Sequence, residues 1–477
     1  YLSKMNNKVS LKKHLVLFLL LGCNTVAFSQ LGTGISARKP ALPTYSTPYV
    51  IPTVKDVKNI VDRIQQRVEK NSLFYLVDSI NGQTISYSQP NKNAIYPQGA
   101  FYFIEWSYPN GVSLSACNDL YETTNDTTYF NYAIRFFDFT FKAMPYFRTM
   151  EENGLIRHHP YKKMIHMAAL DHCGAIGAAL IKIQKRYPDP RFREWIDTIA
   201  DYIYNKQYRL RDRTIARQRP QPQSLWADDL YMCIPFLAQM GSLTGDKKYY
   251  EDAVRQVVQL SARLFDQQTG LYDHGWNVNS AADDPQFYWG RANGWCIMAM
   301  AELLSVLPEN FEGRDKVLAL YRRHAQALVH LQDGTGLWHN LLDQPRSYLE
   351  TSASAIFVYS IAKGVNEGWL SHIYGSAALA GWNALATKVT ESGEVCDIVE
   401  GTTLAHDNVY YFNRGKSCTT NFHGTVMRAG SEIIRLLNNP RFVIESPVPN
   451  STIHVKLRAD IPVSYTHLRA HETDSYL

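Results

Sequence analysis

The sequence predicts an all-α protein and, more specifically, an (α/α)6 barrel, a closed ring of six helical hairpins. Four segments begin with an acidic turn and continue as an amphipathic run, and their turn aspartates recur every 57 to 69 residues, about two helices plus two connections. Six other segments are apolar on nearly every face and rich in small residues, as buried helices are. Six such segments favour a closed ring over the alternative, an open helical solenoid. The turn aspartates are Asp126, Asp189, Asp246 and Asp315.

Residues 1–29 predict export. Four residues that look like upstream translation precede Met5, and the lysines after it lead into an apolar run over 15–21 that is too short to span a bilayer. A small-x-small motif ending at Ser29 is a typical cleavage site, which indicates a periplasmic protein. Cys23 offers a lipoprotein site instead, but the leucine two residues before it fits that signal poorly.

The remaining chain divides by composition. Residues 30–53 are rich in Pro, Gly, Ser and Thr and are predicted to be a linker. The barrel domain is expected over 54–437, and residues 438–462 then turn extended. The final stretch, 463–477, resembles a translated sequencing adapter and is predicted to be a non-native tail. One apolar face of the first barrel helix is formed by Val54, Val57, Val61, Ile64 and Val68.

Charge and cysteine content exclude several classes of protein. The leader carries four lysines and no acid, and the tail carries one arginine against two acids, so removing both reduces the formal net charge from +5 to +2. Such a charge does not indicate a nucleic-acid partner or a membrane surface. Six cysteines follow the leader without metal-site spacing, and Cys396 and Cys418 could pair in an oxidising compartment. No nucleotide, flavin or metal motif is present, so no cofactor is expected.

A polar residue stands directly before each of the six apolar segments, at intervals of 57 to 73 residues. If the six buried helices run parallel, all of these side chains lie at the same mouth of the ring. That mouth is the predicted site. The six residues are Tyr108, Asp171, Asp228, Arg291, Glu350 and His423.

Two of them, Asp171 and Asp228, form a candidate carboxylate pair. Neighbouring carboxylates couple, so that one holds a proton near neutral pH and can act as general acid while the other stays ionised. Each aspartate alone has a simpler explanation, because Asp is a preferred N-cap of helices. Asp229 is the rival candidate for the acid. Convergence of aromatic motifs on the same rim favours a site over a pair of caps.

The aromatic motifs add candidate binding groups. Arg291 supplies a planar fork suited to a substrate carboxylate. His274 can donate a hydrogen bond, with an ordinary loop histidine as the alternative. Trp289 and Trp295 offer flat apolar faces for a sugar ring, although either could equally be packed in the core.

These motifs resemble those of a known family. WADDLYMCIPFLA, YDHGWN, FYWGRANGW, YLETSASAIFVYSIAKG and the closing FHG and AGSEII are similar to the unsaturated rhamnogalacturonyl hydrolases, glycoside hydrolase family 105. The unsaturated glucuronyl hydrolases of family 88 are more distant. The resemblance extends over roughly residues 56–437, with the motifs in the family's order.

The resemblance implies an (α/α)6 barrel that removes a 4,5-unsaturated uronic acid from the non-reducing end of oligosaccharides left by polysaccharide lyases, here those of pectic rhamnogalacturonan. By motif match Asp228 is the catalytic acid, which protonates C4 and assists water onto C5, and Asp171 is its partner. The oligosaccharide is the only partner implied, and the oligomeric state stays open. The implied substrate-binding residues are Tyr108, His274, Trp289, Arg291, Trp295 and His423.

One position departs from the family pattern. Eleven residues before Asp228, where some members carry a histidine, this chain has Arg217, which could bind substrate and favour a second anionic group. Three alternatives to the leading hypothesis remain. They are a glucuronyl hydrolase acting on glycosaminoglycan-type oligosaccharides, a sugar epimerase using His274 and His423, and a non-catalytic carbohydrate-binding relative.

Overall fold

The computed structural model describes residues 49–281, 284, 286–419, 421–447 and 452–458. The chain divides after Ser46 into two units, and every described residue belongs to the second. The predicted leader with Cys23, most of the linker and the predicted tail therefore lie outside the described residues.

Twelve long helices within these ranges build the fold, alternating between an outer and an inner position. The six inner helices are α2 (Tyr108–Thr124), α4 (Gly174–Gln184), α6 (Asp229–Thr244), α8 (Gly290–Leu304), α10 (Thr351–Glu367) and α12 (His423–Leu437). The six outer helices are α1 (Val54–Asn71), α3 (Thr127–Glu152), α5 (Pro190–Asp201), α7 (Lys247–Leu264), α9 (Arg314–His330) and α11 (Gly375–Ala386).

The inner helices form a closed ring. Each packs against the next in chain order, and α12 returns to pack against α2. Every outer helix lies against the inner helix that precedes it, and α1 completes the last hairpin by packing on α12. The predicted (α/α)6 barrel is therefore confirmed, and the open solenoid is excluded because the first and last inner helices are in contact.

Burial explains the two helix types. All residues of α8 are buried, whereas α1 buries only one face, from Val57 to Val68. Small residues let the inner helices approach closely. A Cβ added to Gly174 would lie 1.6 Å from the carbonyl oxygen of Met232, and one added to Gly424 would lie 2.5 Å from the Cα of Ser113.

The acidic turns behave as predicted in three of four cases. Asp126, Asp189 and Asp246 each accept a hydrogen bond from the backbone two residues on, as N-caps of α3, α5 and α7. Asp315 instead lies inside the first turn of α9, and Gly313, with φ of 83°, occupies the N-cap. Glycine tolerates this left-handed conformation, so no side-chain cap is made there.

The sixth outer helix, α11, has no acidic turn and no polar face, and the sequence pattern missed it. Its apolar outside is covered by the strand His454–Leu457, since a Cβ at Gly375 would lie 2.9 Å from Val455. This strand pairs with Phe442–Glu445 as a hairpin.

Short strands connect the helices as two-stranded antiparallel ladders in the described ranges. The pairs are β1 (Val77–Asp78) with β2 (Ala94–Ile95), β3 (Ser224–Trp226) with β6 (Gly275–Asn277), β4 (Phe265–Asp266) with β5 (Leu271–Tyr272), β7 (Trp338–His339) with β8 (Leu349–Glu350), β9 (Val395–Val399) with β10 (Lys416–Thr419), and β11 (Phe442–Glu445) with β12 (His454–Leu457). A disulfide joins Cys396 on β9 to Cys418 on β10, the pairing that the sequence left open.

Short helices lie in the connecting segments. They are the α-helices Phe101–Ile104, Lys162–Ile165 and Asn408–Phe412, the 3-10 helices Leu170–His172 and His372–Tyr374, and the π-helix Tyr202–Lys206. Across all the described ranges, no helix combines the length and apolarity needed to cross a membrane.

Candidate active site

The predicted site residues converge on the mouth of the ring at the N-terminal ends of the inner helices. The ladder between β3 and β6 brings two of them together, because Trp226 pairs with Gly275 and the Ala227 N–H donates to the His274 carbonyl (3.0 Å). His274 and Asp228 consequently face each other, with Nε2 and Oδ2 3.3 Å apart.

Asp228 is not a helix cap. Its backbone is helical at φ −54° and ψ −34°, and its side chain accepts no backbone hydrogen bond from α6. Glu350, at the corresponding position before α10, is a true cap that binds the Ser352 and Ala353 N–H groups. The Val399 N–H also donates to Glu350, so its carboxylate is fully used by the fold. Of these two carboxylates, Asp228 is therefore the one that can still accept hydrogen bonds from a ligand.

Unpartnered polar atoms gather around Asp228. Among the described residues, the buried polar atoms that have no hydrogen-bond partner include Asp228 Oδ2, His274 Nε2 and Trp226 Nε1. Buried polar groups normally find partners in a folded protein, and exceptions mark functional sites. This cluster can therefore bind a polar ligand at little structural cost.

Asp171 lies on the 3-10 turn before α4, with about a third of its side chain exposed (35%). Burial of the carboxyl and the nearby charge of Asp228 raise the pKa of Asp171, although Arg217 opposes them. Burial also acts to raise the pKa of Asp228, but the His274 ring, whose Nε2 lies 3.3 Å away, and then the charges of Arg217 and Arg291 hold it below the usual value. In the ligand-free site the pKa of Asp171 therefore lies above that of Asp228.

This order is the reverse of the roles that the motif match implies, in which Asp228 donates the proton. The physical reason is that His274 and two guanidinium groups surround Asp228, whereas Asp171 shares Arg217 with another carboxylate. A short stretch of sequence does not reveal which cations reach which acid.

That other carboxylate is Asp229. It is 1% exposed and holds Arg217 in a bidentate pair, with N–O distances of 2.8 and 2.7 Å. Arg217 also reaches Asp171 at 3.3 Å and stacks over the Trp226 ring at 4.3 Å. Asp229 is thus bound within the protein rather than available as the acid, and the charge of Arg217 is already compensated.

Arg291 is buried and directs its fork at backbone. Its Nη1 donates to the Val399 carbonyl (2.7 Å) and its Nη2 to the Glu400 carbonyl (2.9 Å). The guanidinium is also stacked between the rings of Trp289 (4.8 Å) and Phe422 (4.5 Å). In this arrangement Arg291 supplies positive charge to the mouth and holds the loop at Val399 and Glu400 in place. Its contact with a substrate carboxylate stays a prediction.

Trp289 and Trp295 are buried in the wall of the mouth. Trp289 is 2% exposed, donates from Nε1 to Asn340 and packs against His274 with ring centroids 4.8 Å apart. Trp295 is equally buried, stacked on Tyr231 at 5.0 Å and edge-on to Tyr108 at 6.2 Å. The alternative of core packing therefore describes both rings.

Two predicted residues complete the mouth. Tyr108 is half-buried, and burial, opposed by Arg291, raises the pKa of its hydroxyl to about 12, so it is neutral and able to donate a hydrogen bond. His423 is buried at the start of α12 and stacked on Phe103 at 6.2 Å. Sequence reasoning missed Tyr411, whose hydroxyl lies 2.6 Å from His274 Nδ1, because the motif around it carried no signal.

A barrel of six helical hairpins with a pair of carboxyl groups, a buried histidine and aromatic walls at one mouth defines a glycoside hydrolase. Comparison with known proteins agrees. The model of Glycosyl Hydrolase Family 88 matches residues 82–437. The chain belongs to this family, and the resemblance to family 105, with the family 88 glucuronyl hydrolases more distant, is confirmed.

Individual relatives give the same picture. The unsaturated rhamnogalacturonyl hydrolase YesR of Bacillus subtilis is 30% identical over 305 residues, 63% of this chain and 80% of YesR. An unsaturated 3S-rhamnoglycuronyl hydrolase of an Alteromonas species is 32% identical over 36% of this chain, but that match spans 42% of the relative. The crystal structure of a possible family 105 member from Salmonella enterica superimposes with a TM-score of 0.63 at 23% identity, covering 83% of this chain and 97% of that one.

The protein is thus an enzyme of the unsaturated rhamnogalacturonyl or glucuronyl hydrolase type. The epimerase and non-catalytic alternatives are set aside by this membership.

Proposed function

We propose that this enzyme removes a 4,5-unsaturated galacturonyl residue from the non-reducing end of oligosaccharides produced by rhamnogalacturonan lyases. The observation that carries the proposal is the unpartnered carboxylate oxygen of Asp228, 3.3 Å from His274 Nε2 at the mouth of the barrel. The similarity to a relative named for unsaturated rhamnogalacturonyl substrates supports the choice of sugar.

In the proposed reaction C4 of the double bond takes a proton from Asp228. The hydroxyl of a water molecule adds to C5, and the other proton of that water returns to the Asp228 carboxylate. The product is a hemiketal at C5, whose ring C5–O bond opens to a ketone. This leaves a hemiacetal at C1, which collapses to an aldehyde and releases the second sugar. One water molecule is consumed, and no bond between sugar and protein is formed.

Asp228 must then be protonated when substrate is bound, although the free site favours its ionised form. The carboxylate of the bound uronate causes this change in the protonation of Asp228. Bringing a second negative charge close to Asp228 raises the pKa of Asp228 and favours proton uptake. Asp171, whose pKa is raised in the free site, is the neighbouring carboxyl of the pair.

The pairing of Arg217 indicates which kind of sugar can stand next to the unsaturated uronate. Because Asp229 and Asp171 compensate its charge, we infer that it does not select a second anionic group. A neutral aglycone such as rhamnose fits this arrangement better than the acidic or sulfated sugars of glycosaminoglycans.

The test follows the ultraviolet absorbance of the unsaturated uronate after adding the enzyme to two lyase digests, one of rhamnogalacturonan and one of chondroitin. We expect absorbance to fall with the pectic digest alone. A fall with chondroitin alone would replace the proposal by a glucuronyl hydrolase activity, and no fall with either would reject both substrates.

Export is also part of the proposal. The disulfide between Cys396 and Cys418 supports it, because such bonds persist in oxidising compartments such as the periplasm. Fractionation of the cells that produce the protein would test it, and recovery from the cytoplasm with both thiols reduced would contradict it.

A further inference from the structure

A buried tyrosine lies behind the histidine that faces Asp228. Tyr411 is fully buried on the short helix Asn408–Phe412, 137 residues away from His274 in the chain. Its hydroxyl is 2.6 Å from His274 Nδ1, and the opposite nitrogen, Nε2, is 3.3 Å from Asp228 Oδ2. The three groups therefore form a line that ends at the carboxylate.

One direction of the hydrogen bond between Tyr411 and His274 has the hydroxyl donating to Nδ1. In a neutral imidazole Nδ1 is then the acceptor and the proton lies on Nε2, facing Asp228. In an imidazolium both nitrogens carry protons, so Nε2–H faces Asp228 in either state.

The rings packed against His274 do not fix which of its nitrogens carries the proton. It is 1% exposed and packed between Trp289 and Trp226, with centroids 4.8 and 5.6 Å away, and neither ring offers it a hydrogen bond. Tyr411 itself is fixed, because Asn340 donates to its carbonyl (3.1 Å) while accepting from Trp289 Nε1 (3.0 Å). The tyrosine hydroxyl is thus the group that can select which nitrogen of His274 carries the proton.

We propose that Tyr411 is a positioning residue for the reaction at Asp228. Its hydroxyl holds the His274 ring with Nε2–H directed at the carboxylate. The inference rests on the proposed function only for the identity of the reaction, because the geometry of the line does not depend on the substrate.

Other titrating groups also face this line and must be separated from it. Asp273, next to His274, is the most important, since burial raises its pKa to about 6. Kinetic profiles are therefore best compared in an Asp273→Asn background. The remaining charged or titratable neighbours are Arg217, Arg291, Asp171, Asp229, Tyr108, Tyr410 and Cys296.

The first experiment compares Tyr411→Phe with Tyr410→Phe. Tyr410 lies on the same short helix, but its hydroxyl accepts from the Thr403 N–H instead of touching His274. We expect Tyr411→Phe to lower kcat about tenfold with little change in KM, the effect of one lost hydrogen bond. The limb of the kcat/KM profile that reports Asp228 should move to higher pH, because a flipped tautomer no longer stabilises the carboxylate.

A double variant tests whether Tyr411 acts through His274. In a His274→Gln background, Tyr411→Phe should cause no further loss of kcat. An equal tenfold loss in both backgrounds, or an unshifted pH profile with normal kcat, would overturn the proposal. Equal losses in the Tyr410 and Tyr411 variants would assign the effect to the loop.

A measurement without substrate keeps the inference separate from the proposed function. Nitrogen NMR of the histidine-labelled protein, with the His274 signal identified from the His274→Gln variant, reports which nitrogen is protonated at alkaline pH. We expect Nε2–H in the wild type and a shift towards Nδ1–H in Tyr411→Phe. Nδ1–H in the wild type would overturn the proposal even if the enzyme cleaves its substrate as expected.

Discussion

The two ends of the barrel treat buried charge in opposite ways. Arg428, in the first half of α12, is completely buried and binds Tyr359 (2.6 Å). It also reaches Asp119 (2.7 Å) and Glu302, which lie in the C-terminal halves of α2 and α8. Lys182 adds a second contact to Glu302 at 2.8 Å. At the N-terminal mouth, by contrast, Asp228 Oδ2 and His274 Nε2 have no hydrogen-bond partner.

A column of side chains runs between the two ends. Trp295 at the mouth stacks on Tyr231, and the Tyr231 hydroxyl accepts from Arg428 Nη1 at 3.1 Å. A cavity of about 510 Å³ lies beyond it, but its lysines and acids are largely paired with one another. The difference indicates that volume does not locate this site, whereas unsatisfied buried polar atoms do.

Asp228→Asn is the variant at the mouth for which we expect the largest loss of activity. We expect roughly a thousandfold loss of kcat, the scale of a general acid, because the amide cannot deliver a proton. The free energy of unfolding should fall only modestly, since Asp228 caps no helix but the folded protein stabilises its charge, as its lowered pKa indicates. Activity on the pectic digest and urea unfolding are the two measurements, and a fully active variant would exclude Asp228 as the acid.

The opposite result is expected for Arg428→Met. Removing the guanidinium leaves Glu302 and Asp119 buried without their main partner, which typically costs ~3–5 kcal/mol of unfolding free energy. Urea unfolding measures the loss, with Arg435→Met, on the same helix but partly exposed, as the matched control. A kcat loss as large as that of Asp228→Asn would show that the two ends are not separate in function.

A smaller effect should come from Asp273, whose burial raises its pKa to about 6. A carboxyl with a raised pKa binds more protons in the folded state, so wild-type stability should increase as the pH falls from above 6 towards the unfolded value near 4. At neutral pH, Asp273→Asn should stabilise the protein by about 2 kcal/mol, and the gain should vanish at acidic pH. Thermal unfolding of both proteins across this range tests it, and a gain that does not depend on pH would contradict the cause.

The weakest effect is expected on the outer layer, where charge pairs are exposed to water. Lys142 and Asp138 form an i,i+4 pair on α3 with 59% and 36% of their side chains exposed. Lys142→Ala should change the free energy of unfolding by less than about 0.5 kcal/mol and leave kcat unchanged. A loss above ~1 kcal/mol in urea unfolding would mean that pairing, rather than burial of the pair, sets the stability of charges in this barrel.

Much of the fold could be predicted because its signals are local. Helical periodicity, apolar segments with small residues and the capping aspartates are each visible within a few turns of chain. Helix α11 escaped prediction because β12 covers its outer face, so that its amphipathic pattern is absent. The identity of the mouth was also accessible, since one polar residue precedes every inner helix.

Sequence patterns therefore established that six buried helices alternate with an outer layer and that Asp171, Asp228 and Arg291 stand where those helices begin. The folded structure was needed to show that Arg217 is held by Asp229, that Arg291 braces a loop and that the pKa of Asp171 lies above that of Asp228. The physical reason is that hydrogen bonding and pKa depend on which charges meet in space. Tyr411 and His274 meet across 137 residues, a separation that no local pattern records.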